Sequence, residues 1–287
     1  MKRFDIAAIG EPMIEFNQTR PGEPTYLQGF GGDSSNMIIA AARQGARCAY
    51  VTRLGDDPFG RMFLDLWKKE GVDASGVRTD AAAFTAVYFV THGKDGHAFS
   101  YLRSGSAASR MQPAHLPWSI INAATVFHAS GISMAVAHDA VLEAMQEAKA
   151  SGAKISFDAN LRLKLWPLER ARKAIARAVS MTDYFFPSLE DAEALSGRRG
   201  EKEILAWAHE LGAGNVFLKL GADGVAVSDG KSSQRIEGID VKVTDATGAG
   251  DCFCGAARYA NAAAALKTTG FGAVAPIPTP DAVRKLL

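Results

Sequence analysis

Three cysteines in 287 residues are too few, and odd in number, for a disulfide framework; this excludes the small stapled folds and suits a reducing compartment. Long apolar runs are missing too. The longest, such as Ala262 to Leu266, fall far short of the ~20 residues that cross a bilayer, and Met1 to Ile9 lacks a secretory apolar region and cleavage site. A cytoplasmic protein with no membrane contact is therefore expected. Nor is there an excess charge of one sign: 32 Lys and Arg stand against 31 Asp and Glu. With no basic run either, nothing attracts a polyanion, and a nucleic-acid partner is not expected. The histidines are scattered without metal-ligand spacing, and Cys252 and Cys254 diverge at a helix start, so buried packing is expected for them. Internal repeats and low-complexity segments are absent. So is Gly-x-x-x-x-Gly-Lys-Ser/Thr, and Gly248-Ala249-Gly250 lacks the third glycine and downstream acid of a dinucleotide fingerprint; a Walker-type phosphate loop and a nicotinamide oxidoreductase are both disfavoured.

What is present is a core. A hydrophobic content of 47% over this length fits one large α/β domain with a small appendage. Phe4-Asp-Ile-Ala-Ala-Ile-Gly10 is a near-continuous apolar run ending in glycine, the pattern of a strand buried on both faces. A helix over 36–44, a strand over 48–52 and a helix over 57–70 follow. The alternation resumes with strands at 125–129, 154–157, 184–186 and 215–219 and helices at 139–151, 168–180, 190–195 and 202–211. A hairpin-like strand at 224–228 and a last helical region from Gly250 to Leu266 complete it. The expected fold class is α/β: a doubly wound, mostly parallel sheet with helices on both faces, ligands lying beyond the carboxyl ends of the strands. Two segments interrupt the series. Glu15 to Phe30 alternates in character, and strands at 85–91 and 97–102 flank the turn Gly93-Lys-Asp-Gly96. They predict a small β lid built from about 12–33 and 84–110, within a single domain spanning 1–287.

The chemistry concentrates in Thr244-Asp-Ala-Thr-Gly-Ala-Gly-Asp251, where small residues run from an extended segment into a helix. Consecutive amides of Gly248, Ala249 and Gly250 at a helix start form an anion hole for a transferring phosphoryl group. Asp251, in the first turn, is placed to accept a proton from a substrate hydroxyl. A tight turn with a favourable first-turn acid is the plainer reading of the same residues.

Asp245-Ala-Thr-Gly-Ala-Gly-Asp251 resembles the C-terminal signature of the ribokinase-like, or PfkB, carbohydrate kinases. Gly31-Gly-Asp-Ser-Ser-Asn36, Arg53-Leu-Gly-Asp-Asp-Pro-Phe-Gly60, Phe157-Asp-Ala-Asn-Leu-Arg162 and Lys219-Leu-Gly-Ala-Asp-Gly224 resemble further family segments in the family's order. The resemblance implies a ribokinase-like fold and an ATP-dependent sugar kinase with Asp251 as base. It places Gly32, Asp33, Ser34, Ser35 and Asn36 on the sugar hydroxyls. Asn160, Arg162, Lys219, Gly221, Ala222, Asp223, Gly224, Gly248, Gly250 and Asn261 would serve the nucleotide. Asp245 and Thr247 resemble ligands of a monovalent cation such as K⁺. Mg²⁺ would enter with ATP, largely hydrated. Where many members carry Asn-x-x-Glu, this chain has Ser188-Leu-Glu-Asp191, so Asp191 would act on Mg²⁺ through water.

Tyr101 and Arg103, with the following Ser-Ala-Ala and with Tyr88, resemble 2-keto-3-deoxygluconate kinases in particular. A guanidinium in the cleft suits a sugar acid's carboxylate, with Arg162 as a second cation; Arg103 paired with a local acid such as Asp33 is the alternative. A kinase for fructose or ribose, or a sugar-binding sensor on the same fold, are the rival functions. The lid's open strand edges predict a homodimer through the lid. After Gly255 the chain is about 20 residues shorter than the usual helix, loop and helix of this family.

Overall fold

The computed structural model describes residues 2–93, 96–255 and 260–286. The first strand, β1 (Phe4–Ile9), is followed by β2 (Met13–Gln18) and β3 (Tyr26–Gly31), then α1 (Asp33–Arg43), β4 (Cys48–Gly55), α2 (Pro58–Lys69) and the short strands β5 (Val72–Asp73) and β6 (Val77–Asp80). The hairpin β7 (Val87–Gly93) and β8 (Gly96–Leu102) leads to α3 (Trp118–Ile121) and β9 (Ala124–Ser130). Next come α4 (Gly131–Val136), α5 (His138–Ala150), β10 (Lys154–Asp158), α6 (Leu168–Val179), β11 (Tyr184–Phe186), α7 (Leu189–Ser196) and α8 (Glu201–Glu210). The chain closes with β12 (Asn215–Lys219), β13 (Val225–Ser228), β14 (Ser233–Ile236), α9 (Ala249–Gly255), α10 (Ala260–Lys267) and α11 (Pro280–Leu286).

The large sheet runs β14-β13-β12-β11-β10-β9-β1-β4-β5, with β6 also on β4. Pairing is parallel from β12 to β5 and antiparallel only for β13 and β14. This is the expected doubly wound, mostly parallel class, and its strands are apolar on both faces because helices cover both. One apolar cluster gathers Phe127, Phe157 and Phe185 with α5 and α6. The other packs Ile38, Tyr50, Phe63 and Trp67 against α9. The parallel strands end together, β1 at Ile9, β9 at Ser130, β10 at Asp158 and β12 at Lys219. That common edge positions the site.

The second sheet is small, ordered β3-β2-β7-β8, and draws on the two interrupting segments. It departs from ordinary hairpin arithmetic in pairing β2 with β7 in parallel, Ile14 opposite Val87. Asp57 joins the two layers. It caps α2 by accepting from the Gly60 amide at 2.7 Å, and its other oxygen accepts from the Thr85 amide at 2.7 Å, just before β7.

Local differences from the sequence reading have physical causes. The helical region expected from Gly250 to Leu266 is two helices, α9 and α10, and the joint at 256–259 lies outside the described residues, as do Lys94 and Asp95 of the predicted hairpin turn. α1 begins at Asp33 rather than Asn36, because Gly32, at φ 101°, turns the chain straight into it. A side chain at Gly32 would also meet the Glu11 carbonyl at 2.4 Å. Among the described residues no helix is long and apolar enough to cross a membrane.

Candidate active site

Four acids converge where the parallel strands end. Asp33 opens α1, Asp158 ends β10, Asp191 sits in the first turn of α7 and Asp251 in the first turn of α9. Asn36, one turn into α1, donates from Nδ2 to Asp251 Oδ2 at 2.8 Å. Asn160 donates from Nδ2 to Asp33 Oδ2 at 3.1 Å and from its amide to Asp158 Oδ1 at 3.2 Å. Among the described residues it is the one non-glycine with positive φ, 27°, a conformation asparagine tolerates better than most. The expected Gly32–Asn36 and Asn160 therefore meet Asp251 in one place.

Crowding shapes the acid strengths. Burial, then the charges of Asp33 and Asp158, push the Asp251 carboxyl up to about 7, against the Asn36 hydrogen bond and Lys219. Burial likewise raises Asp33, opposed by hydrogen bonds from Ser130 and the Ser34 amide, and raises Asp191, opposed by the Leu161 amide. One cation is driven into the group. Lys219 Nζ donates to both oxygens of Asp158, at 2.9 and 2.8 Å. Burial alone would lower its pKa, but Asp158 overrides that and holds it above the usual lysine range. Its ammonium lies 3.4 Å from where a Cβ on Gly250 would stand, so the absent side chain gives a cation access to the α9 turn.

The amides around Gly248 are partly committed. Gly248 has φ 77°, and the Ala249 amide donates to the Ala246 carbonyl at 3.1 Å. The expected three-amide hole therefore reduces to its neighbours plus the Lys219 ammonium. Gly221, Ala222 and Asp223 form a 3₁₀ turn directly after Lys219, and Gly224 follows at φ 97°. Asn261 lies in α10, and its side chain is outside the described residues. Ser34 bonds Tyr50 through its hydroxyl at 2.8 Å, and Ser35 accepts from the Trp67 indole at 3.2 Å; both hydroxyls are tied to the core behind α1.

The small sheet supplies the opposite wall. Tyr88 donates to buried Glu15, and burial pushes its phenol well above the usual range. Arg103, just past β8, pairs with Glu11, a residue 1% exposed, rather than with Asp33; Ser106 donates to the other Glu11 oxygen at 2.8 Å. The guanidinium also lies 5.6 Å from the centre of the Tyr101 ring, so Tyr101 and Arg103 do share one side. Arg162 is exposed, and its guanidinium donates to the Leu161 carbonyl at 2.8 Å.

Asp245 is fully engaged. Its carboxylate accepts from the Thr247 amide at 2.9 Å and the Gly272 amide at 3.0 Å, and its carbonyl accepts from Lys267 Nζ at 3.2 Å. Burial draws the Lys267 ammonium below the usual lysine range, while Asp245, Glu15 and Asp251 pull it back. Among the described residues no group of three or more His, Cys, Asp or Glu side chains is placed to hold a metal ion.

Sequence reasoning passed over Glu11, Glu15, Asp158 and Lys267. For the three acids the only signal was a place directly after or inside an apolar strand, where a carboxylate needs a partner. His128 Nδ1 meets Ser156 Oγ at 2.8 Å, and burial lowers its pKa to about 4.

The profile of the pfkB family carbohydrate kinases matches residues 3–280. The chain belongs to this family of sugar kinases. A 2-dehydro-3-deoxygluconokinase of Thermoproteus tenax is 36% identical over 261 residues, covering 88% of this chain and 80% of that one. Fructokinase-2 of Solanum habrochaites is 35% identical over 315 aligned positions, covering 98% and 95%. That alignment is longer than the chain, so this relative carries segments the present PfkB member lacks. Among solved structures, an Escherichia coli protein designated ribokinase II, in complex with ATP and Mg²⁺, has a TM-score of 0.90 at 27% identity and covers 98% of each chain. The ribokinase-like fold class is thus shown.

Proposed function

We propose that this PfkB kinase transfers the γ-phosphoryl group of ATP, bound with Mg²⁺, to a hydroxyl of 2-keto-3-deoxygluconate. The observation that carries the kinase chemistry is Asn36. Its Nδ2 is spent on Asp251, while its buried Oδ1 has no hydrogen-bond partner. A buried acceptor left unmatched costs roughly 1–3 kcal/mol. A sugar hydroxyl seated there would satisfy Oδ1 and present its neighbour to Asp251.

The step balances simply. As the hydroxyl oxygen bonds to the γ-phosphorus, its proton passes to Asp251 and the bond to the bridging oxygen of ADP breaks. A carboxyl titrating near 7 suits a base at neutral pH. Lys219 and the turn at 248–250 offset charge on the transferring group. With Mg²⁺ bound, Asp191 would act on it through water; the Leu161 amide already donates to its Oδ2 at 3.1 Å. Gly221–Gly224 and Asn261 lie along the nucleotide. Folding of the small sheet over the cleft as a lid would exclude water, and its exposed Leu27, Tyr101 and Leu102 suit a homodimer formed lid to lid.

The sugar-acid reading rests on the T. tenax relative and on Arg162, which is without a carboxylate partner among the described residues, with Tyr88 and Tyr101 beside the sugar. A second reading, fructose, is favoured by the pairing of Arg103 with Glu11, which removes that guanidinium from a ligand's carboxylate, and by the equally similar fructokinase. The deciding assay is ATP-dependent phosphorylation of 2-keto-3-deoxygluconate, fructose and ribose by wild type and Arg162→Met. Preference for the acid, lost selectively in the variant, supports the first reading. Preference for fructose, unaltered in the variant, establishes the second.

A further inference from the structure

Lys267 is fully buried, 0% exposed, at the last turn of α10. Lysine is almost never buried to this degree without a partner, and here the partners are arranged around the catalytic turn. Its ammonium donates to the Asp245 carbonyl at 3.2 Å. The charges of Asp245, Glu15 and Asp251 all act on it.

The same turn is where sequence resemblance places a monovalent cation on Asp245 and Thr247. The residues present do not fit one. Both Asp245 carboxylate oxygens receive backbone amides, from Thr247 and Gly272, and the Asp245 carbonyl receives the ammonium. A hard cation needs several free oxygens together, and a second positive charge beside Lys267 would be repelled.

We propose that Lys267 is the built-in cation of this site: a tethered ammonium that positions the 245–251 turn, making the enzyme independent of added K⁺. Lys267 is a positioning residue, acting on Asp251 through that turn. Three bonds bind the turn to the segment following α10. The Thr244 and Asp245 amides donate to the Thr268 carbonyl at 2.7 and 3.0 Å, and Gly272 donates to Asp245. Burial raises the Glu15 carboxyl of the small sheet, and the Ala273 amide and Lys267 oppose that rise. Removing the ammonium takes away a positive charge on which Glu15, Asp245 and Asp251 all act.

The inference rests on the kinase reading for its turnover test but not for its binding test. At constant ionic strength, wild-type turnover with the preferred sugar is expected to change by less than about twofold when choline chloride is replaced by KCl. Lys267→Ala is expected to lose at least tenfold in kcat in choline and to regain part of it in KCl, NH₄Cl or propylammonium chloride, which refill the vacated space. Thermal melts without substrate give a second readout: KCl should raise the melting temperature of Lys267→Ala, and of the better-packed Lys267→Met less, and leave wild type unmoved. A severalfold K⁺ activation of wild type, or a wild-type melting temperature that rises with KCl over choline, overturns the proposal. So does a folded Lys267→Ala indifferent to every cation. Absence of turnover on every sugar would sink the kinase reading, while the melts would still decide the role of Lys267.

Discussion

The two sheets treat their acids in opposite ways. At the carboxyl edge of the large sheet, Asp33, Asp158, Asp191 and Asp251 crowd together around the Lys219 ammonium, and Asp33, Asp191 and Asp251 are held above their ordinary pKa. In and beside the small sheet each buried acid has a donor of its own, Glu15 with Tyr88 and Glu11 with Arg103 and Ser106. Crowded acids cost stability and gain a base that titrates in the working range. Individually matched acids hold a wall in place, although burial raises the Glu11 and Glu15 carboxyls as well. One edge is arranged for chemistry and the other for shape.

The sharpest test of that contrast is Asp251→Asn. Loss of the base is expected to lower kcat by about 10³-fold with ATP affinity nearly unchanged, and to stabilise the fold, because a carboxyl whose native pKa is raised binds more protons folded than unfolded. The sign follows from that: between about pH 4 and 7 wild-type stability should fall as pH rises, and the slope should flatten in the variant. Urea titrations at several pH values check it; equal slopes would break the account of crowding.

Next in size is Lys219→Met, which strands Asp158 without its cation and should cost about 3–5 kcal/mol. Adding Asp158→Asn should restore most of it, since a neutral amide needs no counter-charge. Arg103→Met probes the other edge, and about 3 kcal/mol is expected, at the low end because Ser106 still donates to Glu11. If Arg103 braces the wall, KM for 2-keto-3-deoxygluconate and for fructose should rise in parallel; a rise confined to the acid would make it a ligand of the carboxylate.

The rate profile gives a milder test. With the Asp251 carboxyl near 7, kcat/KM should climb with pH through about 7 and then level, because only the ionised form accepts the proton. A level profile between pH 5 and 8 would remove the base assignment. Smallest in its effect on stability is Leu102→Lys, at the 60% exposed end of β8. A change within about 0.5 kcal/mol is expected, with loss of dimer mass by light scattering if the copies meet lid to lid.

Much of this was readable before the structure, and the reason is local. Apolar strands bounded by glycine and helices with 3.6-residue spacing carry their signals within a dozen residues, so β1, β12, α6 and their neighbours fall where the pattern puts them. Asp251 stood out because the small residues before it leave room for a ligand, whereas Asn36 and Lys219 were singled out by the resemblance of their segments to the family's. What escaped was long-range. The two-residue β5 has too little sequence to show a period, and six-residue α4 is a continuation of a strand's apolar run. Glu11, 92 residues from Arg103, and Glu15, 73 from Tyr88, look like ordinary acids until the fold brings their partners. Lys267 lies one residue beyond the helical region expected to end at Leu266, and nothing nearby announced that α10 would be buried at its end.

The parallel pairing of β2 with β7 has a consequence for how the chain assembles. The hairpins β2–β3 and β7–β8 each close locally, but joining them means closing a loop of some seventy residues, whose entropic cost is met only once α1, β4 and α2 have condensed between them. During synthesis the first hairpin therefore waits with an unpaired edge until the second has left the ribosome. The wall over the cleft can close only after its second hairpin is made, although its first strand is among the earliest, and the interval between those events leaves a growing chain open to pairing with another copy of itself.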